Sequence, residues 1–212
     1  MRSGKEEGGW ISVGELEEAF EAGSYAPPHC RELAGRRLRL CLDGGGAVEY
    51  EFGDAELRWR NASAEVSGWV EEKYYAAKVR EGVYFVDHLR HLERAASMSI
   101  VVDFNLGGFI AVVGRLPTGG EAKEPYAHRA LKELELTRVK ATVLRGSING
   151  RGLPPPRYEA TGELVGKRAE YAYSPTQRYE HIYLNKRFYT WHCLSGAERS
   201  ATGEWGLADT DA

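Results

Sequence analysis

Cysteine is scarce in this sequence. There are three in 212 residues, Cys30, Cys41 and Cys193, with no CxxC pair among them. An odd number cannot all pair internally, so the pattern is that of reduced thiols in a cytoplasmic protein rather than a disulfide scaffold. An excess of one charge is lacking too. The 28 basic side chains stand against 31 acidic ones, for a formal charge of −3, which argues against nucleic acid or an anionic membrane as the main partner. No apolar run approaches the length of a membrane span, and the opening residues MRSGKEEGGW contain no apolar signal core. Gly44-Gly45-Gly46 is followed by no Lys-Ser/Thr and opens no helix, which excludes a phosphate loop. No GxSxG elbow and no cysteine nucleophile paired with a base can be seen. What remains is a chain with 42% hydrophobic and 28% charged residues, long enough to bury roughly 70% of its unfolded surface without staples. Its 25 glycines and 11% aromatics, tyrosine foremost, point to turns and strands.

Hydrophobic periodicity organises the chain. Ser12 with Glu15 forms a capping box for a short helix carrying Leu16 and Phe20. From Arg36 the period changes to two. Leu38, Leu40 and Leu42 alternate with polar positions, Asp43-Gly44-Gly45-Gly46 turns the chain, and Val48, Tyr50 and Phe52 resume the alternation, which predicts a hairpin. Further strands are predicted at 55–60, 69–79, 83–89, 98–104 and 109–115. They follow one another too closely for intervening helices, so an antiparallel meander closed into a barrel is expected. A helix with Ala127, Leu131 and Leu134 on one face follows, then a strand in VKATVLRG, then a linker, Asn149-Gly150-Arg151-Gly152-Leu153-Pro154-Pro155-Pro156.

A weak repeat spans that linker. Glu32-Leu33-Ala34-Gly35-Arg36-Arg37 returns as Glu163-Leu164-Val165-Gly166-Lys167-Arg168. A Tyr-Glu pair follows each copy, Tyr50-Glu51 and Tyr179-Glu180, and then a tryptophan, Trp59 and Trp191. The pattern indicates a duplicated β unit.

Tyr171-Ala172-Tyr173-Ser174-Pro175, Tyr179-Glu180-His181-Ile182-Tyr183-Leu184-Asn185, Tyr189-Thr190-Trp191-His192-Cys193-Leu194-Ser195-Gly196 and Leu207-Ala208-Asp209-Thr210-Asp211 together resemble the C-terminal domain of the MoaF family. Tyr50-Glu51-Phe52, Leu57-Arg58-Trp59 and Gly82-Val83-Tyr84-Phe85-Val86-Asp87 resemble its N-terminal domain. The resemblance implies two lipocalin-like (calycin-like) barrels in a family named for molybdenum cofactor biosynthesis and linked to monoamine regulons. It also implies a second domain cut short at Ala212. A more distant resemblance, to the phenolic acid decarboxylases, rests on Gly166, Tyr171, Tyr173, Tyr179 and Glu180. It implies that Tyr171 and Tyr173 hold a carboxylate. The first copy has Leu40 and Leu42 at those two positions.

The residues themselves offer several constellations. Tyr171 and Tyr173 lie two apart on a strand, so their hydroxyls share a face and form a clamp for a carboxylate or phenolate if that face lines a cavity; otherwise they are strand packing. A two-residue loop at Lys186-Arg187 would set His181 opposite His192, as weak metal candidates or a general base, whereas a three-residue loop would break the pair. His88 and His91 are three apart on a segment expected to turn at Leu89. Arg58 and Arg60 share one strand face, and Glu72 and Tyr74 another; inside a barrel such groups would serve a ligand or form a buried ion pair, but a solvated face is the expectation from sequence alone. Cys193 and His192, adjacent on a strand, point to opposite faces.

The expected protein is therefore all-β: an N-terminal tail and short helix (1–32), a lipocalin-like antiparallel β-barrel (33–148), a linker (149–160) and a truncated second copy (161–212). That copy must pack on the first, pair with another chain as in a homodimer, or stay partly unformed. The expected function is binding of a small aromatic or carboxylated metabolite, with no cofactor, by Tyr171, Tyr173, Tyr179, His181, Tyr183, Trp191 and His192. The alternative is a cofactor-free lyase in which Tyr171 and Tyr173 hold a carboxylate and Glu180 or His181 moves a proton.

Overall fold

The computed structural model describes residues 25–62, 68–93, 96–132, 139–150, 161–186, 188–196 and 205–207. The predicted helix at Ser12, the linker beyond Gly150, Leu134 and the Ala208–Asp211 motif lie outside them. Eight strands, β1 (Arg37–Leu42), β2 (Ala47–Phe52), β3 (Glu56–Asn61), β4 (Val70–Arg80), β5 (Val83–Arg90), β6 (Ala96–Asp103), β7 (Gly108–Arg115) and β8 (Lys140–Ile148), form a closed antiparallel barrel in chain order. This is the all-β, lipocalin-like architecture expected from the sequence. Two short helices, α1 (Gly119–Lys123) and α2 (Tyr126–Leu131), lie between β7 and β8. No helix among the described residues is long and apolar enough to cross a membrane.

Alternation fills the barrel. Leu38, Leu40, Tyr50, Phe52, Leu57 and Trp59 of the first three strands join Val86, Ile100, Val102, Phe109 and Ala111 in one core. Closure depends on a short seam in which β1 pairs with β8 at Leu40–Ile148, Cys41–Ser147 and Leu42–Gly146. One end of the barrel is closed tightly. Its connections are the turns at 53–55, 81–82 and 104–107, and the 3-10 turn Arg31–Leu33 lays the fully buried Leu33 across it. Strands β3, β5 and β7 end, and β4, β6 and β8 begin, at the other end. Arg58 and Arg60 point outward, as expected. They pair with Glu51 and Glu49, while Arg37 and Arg39 reach the same two carboxylates and Trp69 stacks on the two former guanidiniums.

A second sheet contains β9 (Arg168–Ala172), β10 (Arg178–Tyr183), β11 (Phe188–Ser195) and β12 (Trp205–Leu207), in the order β12-β11-β10-β9. Its entry repeats that of the barrel bond for bond. Gly35 N–H donates to Phe52 O and Phe52 N–H to Arg36 O; Gly166 N–H donates to Tyr183 O and Tyr183 N–H to Lys167 O. Both glycines hold left-handed backbone, φ 76° and 77°. Pairing of Arg37 with Glu51 matches that of Arg168 with Ile182. The repeat seen in the sequence is therefore one folded unit used twice. Tyr25 N–H donates to Tyr173 O, and the following segment returns to the barrel, where Cys30 N–H donates to Ala76 O.

Candidate functional site

The shared register fixes what corresponds to what. Leu40, Val48, Tyr50 and Phe52 of the first unit match Tyr171, Tyr179, His181 and Tyr183 of the second. Across the next strand, Phe52 opposite Leu57 matches Tyr183 opposite Tyr189, and Tyr50 opposite Trp59 matches His181 opposite Trp191. The two tryptophans are thus equivalent, as the repeat suggested. The Tyr-Glu pairs are not: Tyr50 corresponds to His181 and Tyr179 to Val48, because both hairpins keep one register and the sequence echo is displaced by two residues.

Six of the seven sequence-predicted ligand residues share one face of the second sheet. Tyr171 and His181 approach with ring centroids 4.5 Å apart, and His181 stacks on Tyr189 at 4.7 Å. Tyr183 packs on Tyr189 at 5.9 Å, and its hydroxyl is 2.6 Å from that of Tyr171. Tyr179 contacts both Tyr173 and Trp191 at 5.6 Å. These rings are half-buried except Tyr173, which is 41% exposed. The phenol of Tyr183 is pushed up to about 12, first by the bond to Tyr171 and then by burial, while burial holds the His181 imidazole below its ordinary range. At neutral pH the face therefore presents neutral rings with polar tips.

His192 is the exception, and the metal pairing fails with it. His181 lies opposite Trp191, and His192 lies opposite Glu180. Tyr183 is the last paired position and lies opposite Tyr189, so an odd number of residues separates the pair, where a two-residue loop needs an even one, and the two histidines fall on opposite faces. His192 Nδ1 lies 3.6 Å from Glu180, whose buried carboxylate also binds Arg168. Glu180 is thus part of an ion-pair group on the far side from Tyr171 and Tyr173. No group of three metal-binding side chains occurs among the described residues.

A second polar group lies inside the barrel. Strand β5 does not turn at Leu89 but runs on to Arg90, which places Tyr84, Val86, His88 and Arg90 in one interior row. Arg90 donates to the Tyr50 hydroxyl at 3.3 Å, and that oxygen lies 3.4 Å from His88 Nε2. The Arg90 guanidinium stacks over Trp59 at 4.1 Å. His88 is 0% exposed, and burial followed by the Arg90 charge pushes its imidazole down to about 3. Glu72 and Tyr74 are buried rather than solvated. Glu72 accepts from both the backbone N–H and the ring of His91, and Tyr74 donates to Gly53 O. His88 and His91 therefore have separate partners and form no ligand pair.

The comparisons follow the same division. The MoaF N-terminal domain model matches residues 8–118, and the MoaF C-terminal domain model matches residues 158–212. Protein MoaF of Klebsiella aerogenes is 30% identical over 206 residues, covering 95% of this chain and 71% of that protein. This chain belongs to the MoaF family. In this MoaF-family fold, sequence reasoning missed Tyr189, whose signal was its place two residues before Trp191. It also missed the interior group of Tyr50, Trp59, His88 and Arg90, because β5 is buried along nearly all its length and shows no alternation.

Proposed function

We propose that this protein binds a small aromatic or carboxylated metabolite on the ring-lined face of its second unit, in an accessory role in cofactor or aromatic and monoamine metabolism. One observation carries the reading. Where the first unit packs hydrocarbon at Leu40, Val48 and Leu57, the second carries phenols at Tyr171, Tyr179 and Tyr189. A core gains nothing from added hydroxyls that need partners, whereas a ligand face gains flat apolar contact with directional polar tips. A cofactor-free lyase on the same face is the second reading. It is favoured by the 4.5 Å approach of His181 to Tyr171, which makes His181 rather than Glu180 the proton carrier beside the phenols.

The test is a thermal-shift screen of the whole chain against hydroxycinnamates, aromatic amines and pterins, with carbon dioxide release followed in the same wells. A ligand at 100 times its dissociation constant stabilises the fold by about 2.7 kcal/mol. The shift should vanish in the double variant Tyr171→Phe, Tyr183→Phe. Turnover of a phenolic acid would put the lyase reading first, and a shift untouched by the double variant would remove the site from this face.

A further inference from the structure

We infer that residues 25–30 form a pH-sensitive strap, held on the edge of β4 while His29 is a neutral imidazole with its proton on Nε2, and detached when the ring takes up a second proton at Nδ1. The inference follows from two partners whose roles are fixed. His29 Nδ1 lies 3.2 Å from the backbone nitrogen of Ala76, whose N–H can only donate. His29 Nε2 lies 2.8 Å from the backbone carbonyl oxygen of Asp54, which can only accept. Nδ1 therefore carries the lone pair and Nε2 the proton, whatever else surrounds the ring. An imidazolium has a proton on both nitrogens. Turning the ring over does not help, because one of its N–H groups would still face the N–H of Ala76.

The bond sits where β4 loses its neighbour. Strand β3 pairs with β4 as far as Lys73, and Tyr74 N–H still reaches Ala55 O. Beyond that point the strap takes over the edge: Ala76 N–H donates to His29, and Cys30 N–H donates to Ala76 O at 2.7 Å. Ala76 is fully buried, so its N–H cannot readily exchange a lost acceptor for water. Neither partner can retreat easily. Ala76 is paired with Val86 of β5, and the turn that carries Asp54 is closed by Gly53 N–H on Glu56 O and by the Tyr74 hydroxyl on Gly53 O. The titratable groups facing His29 are Tyr74 and Tyr75 of β4, with ring centroids 5.1 and 6.1 Å away, Asp54 of the turn and Cys30 beside it. Among these residue types only histidine ordinarily changes charge between pH 5 and 8. The ring is half-buried, which leaves part of it open to solvent. At its other end the strap is bonded to the second sheet, Tyr25 N–H to Tyr173 O, so detachment also slackens the tie between that sheet and the barrel. The inference does not depend on what the ring-lined face binds.

The experiment uses the whole chain, uniformly labelled with nitrogen-15. At pH 7 the two-bond correlations of His29 should report the Nε2–H tautomer; an Nδ1–H tautomer would overturn the inference. Amide hydrogen exchange, corrected for the intrinsic effect of pH, is then followed from pH 7 to pH 5. Protection of the Cys30 and Ala76 amides should fall on the order of tenfold or more, point by point with the double protonation of the His29 ring. The Tyr25 amide signal should move along the same curve. In His29→Gln, which has no proton to gain, the fall should be absent. A ring that gains its second proton while both amides keep their protection, or that stays neutral to pH 5, would overturn the strap. So would a fall that follows some other titration or persists in His29→Gln. The titration of the unaltered chain decides the matter even if His29→Gln does not fold.

Discussion

Tyr50 and His181 occupy one position in two copies of the same hairpin, and each faces a tryptophan across the next strand, Trp59 and Trp191. The neighbours of the pair differ in kind. Around Tyr50 the interior is largely hydrocarbon, with the Tyr50 hydroxyl 3.3 Å from Arg90 and 3.4 Å from His88. Around His181 the same backbone carries phenols, and the imidazole becomes one ring in a half-buried aromatic face. The two hairpins keep one register and differ in lining.

The Tyr171–Tyr183 bond sets the first prediction. It is the largest cause of the raised Tyr183 pKa of about 12, with burial second. A phenol with a raised folded pKa contributes stability that is present below the ordinary value near 10 and is lost as pH rises toward 12. In Tyr171→Phe the Tyr183 phenolate should appear at lower pH, though still above the ordinary value because burial persists. An absorbance titration of Tyr171→Phe against the double variant with Tyr183→Phe measures this. An unchanged midpoint would mean that the two hydroxyls are not bonded.

Gly35 and Gly166 give the second. Both are left-handed, and a Cβ added at either would meet no heavy atom within 4 Å, so a substitution there strains only the backbone. Each alanine variant should lose about 1–2 kcal/mol, and asparagine, which tolerates this conformation, should lose less. Urea midpoints at unchanged m-value would show it. An alanine variant of unchanged stability at either site would contradict the shared left-handed turn geometry.

The barrel was legible in the sequence because strands such as β1, β3 and β6 have one buried face, and alternation reports that directly. The motif at Glu32 and Glu163 was legible because a left-handed turn admits few residues besides glycine. Facing was harder. Glu72 reads as solvent-exposed because charge is usually outside, yet its carboxylate is satisfied by His91, a partner in the next turn of chain that no period reveals. His192 was misplaced because register in a hairpin depends on loop length, and one residue in the connection after Tyr183 turns every later side chain to the other face. Strand β5 is buried along nearly all its length on both faces, so no alternation marked the row of His88 and Arg90 on the inside.

The seam supplies the third prediction. A Cβ at Gly146 would lie 1.9 Å from the Cys41 carbonyl oxygen and 2.9 Å from the Phe109 ring. Neither can withdraw cheaply, since Cys41 is in one of the three residue pairs that join β1 to β8. Gly146→Ala should cost on the order of 3 kcal/mol or more, or prevent folding, by opening the barrel. Chemical denaturation with near-ultraviolet circular dichroism reads the loss. A well-folded variant of ordinary stability would show that the seam is not where the barrel is held shut.

His88 gives the last, and its sign can be worked out. Burial and the nearby Arg90 hold the folded imidazole at about 3, whereas in the unfolded chain it titrates near 6.5. Between those values the unfolded chain binds the proton and the folded chain does not. Stability is therefore full above about pH 6.5 and falls as the solution is acidified toward pH 3, by up to about 1.4 kcal/mol for each pH unit from this residue alone. His181, also lowered by burial, acts in the same direction, so the informative quantity is a difference between proteins. His88→Gln lowers the starting stability by disturbing a packed interior, but it has no proton to take up in this range. Its stability should decline with acid less steeply than that of the unaltered chain, and urea melts at pH 7, 6 and 5 measure both slopes. Parallel slopes would mean that His88 already meets solvent or an acid in the folded protein.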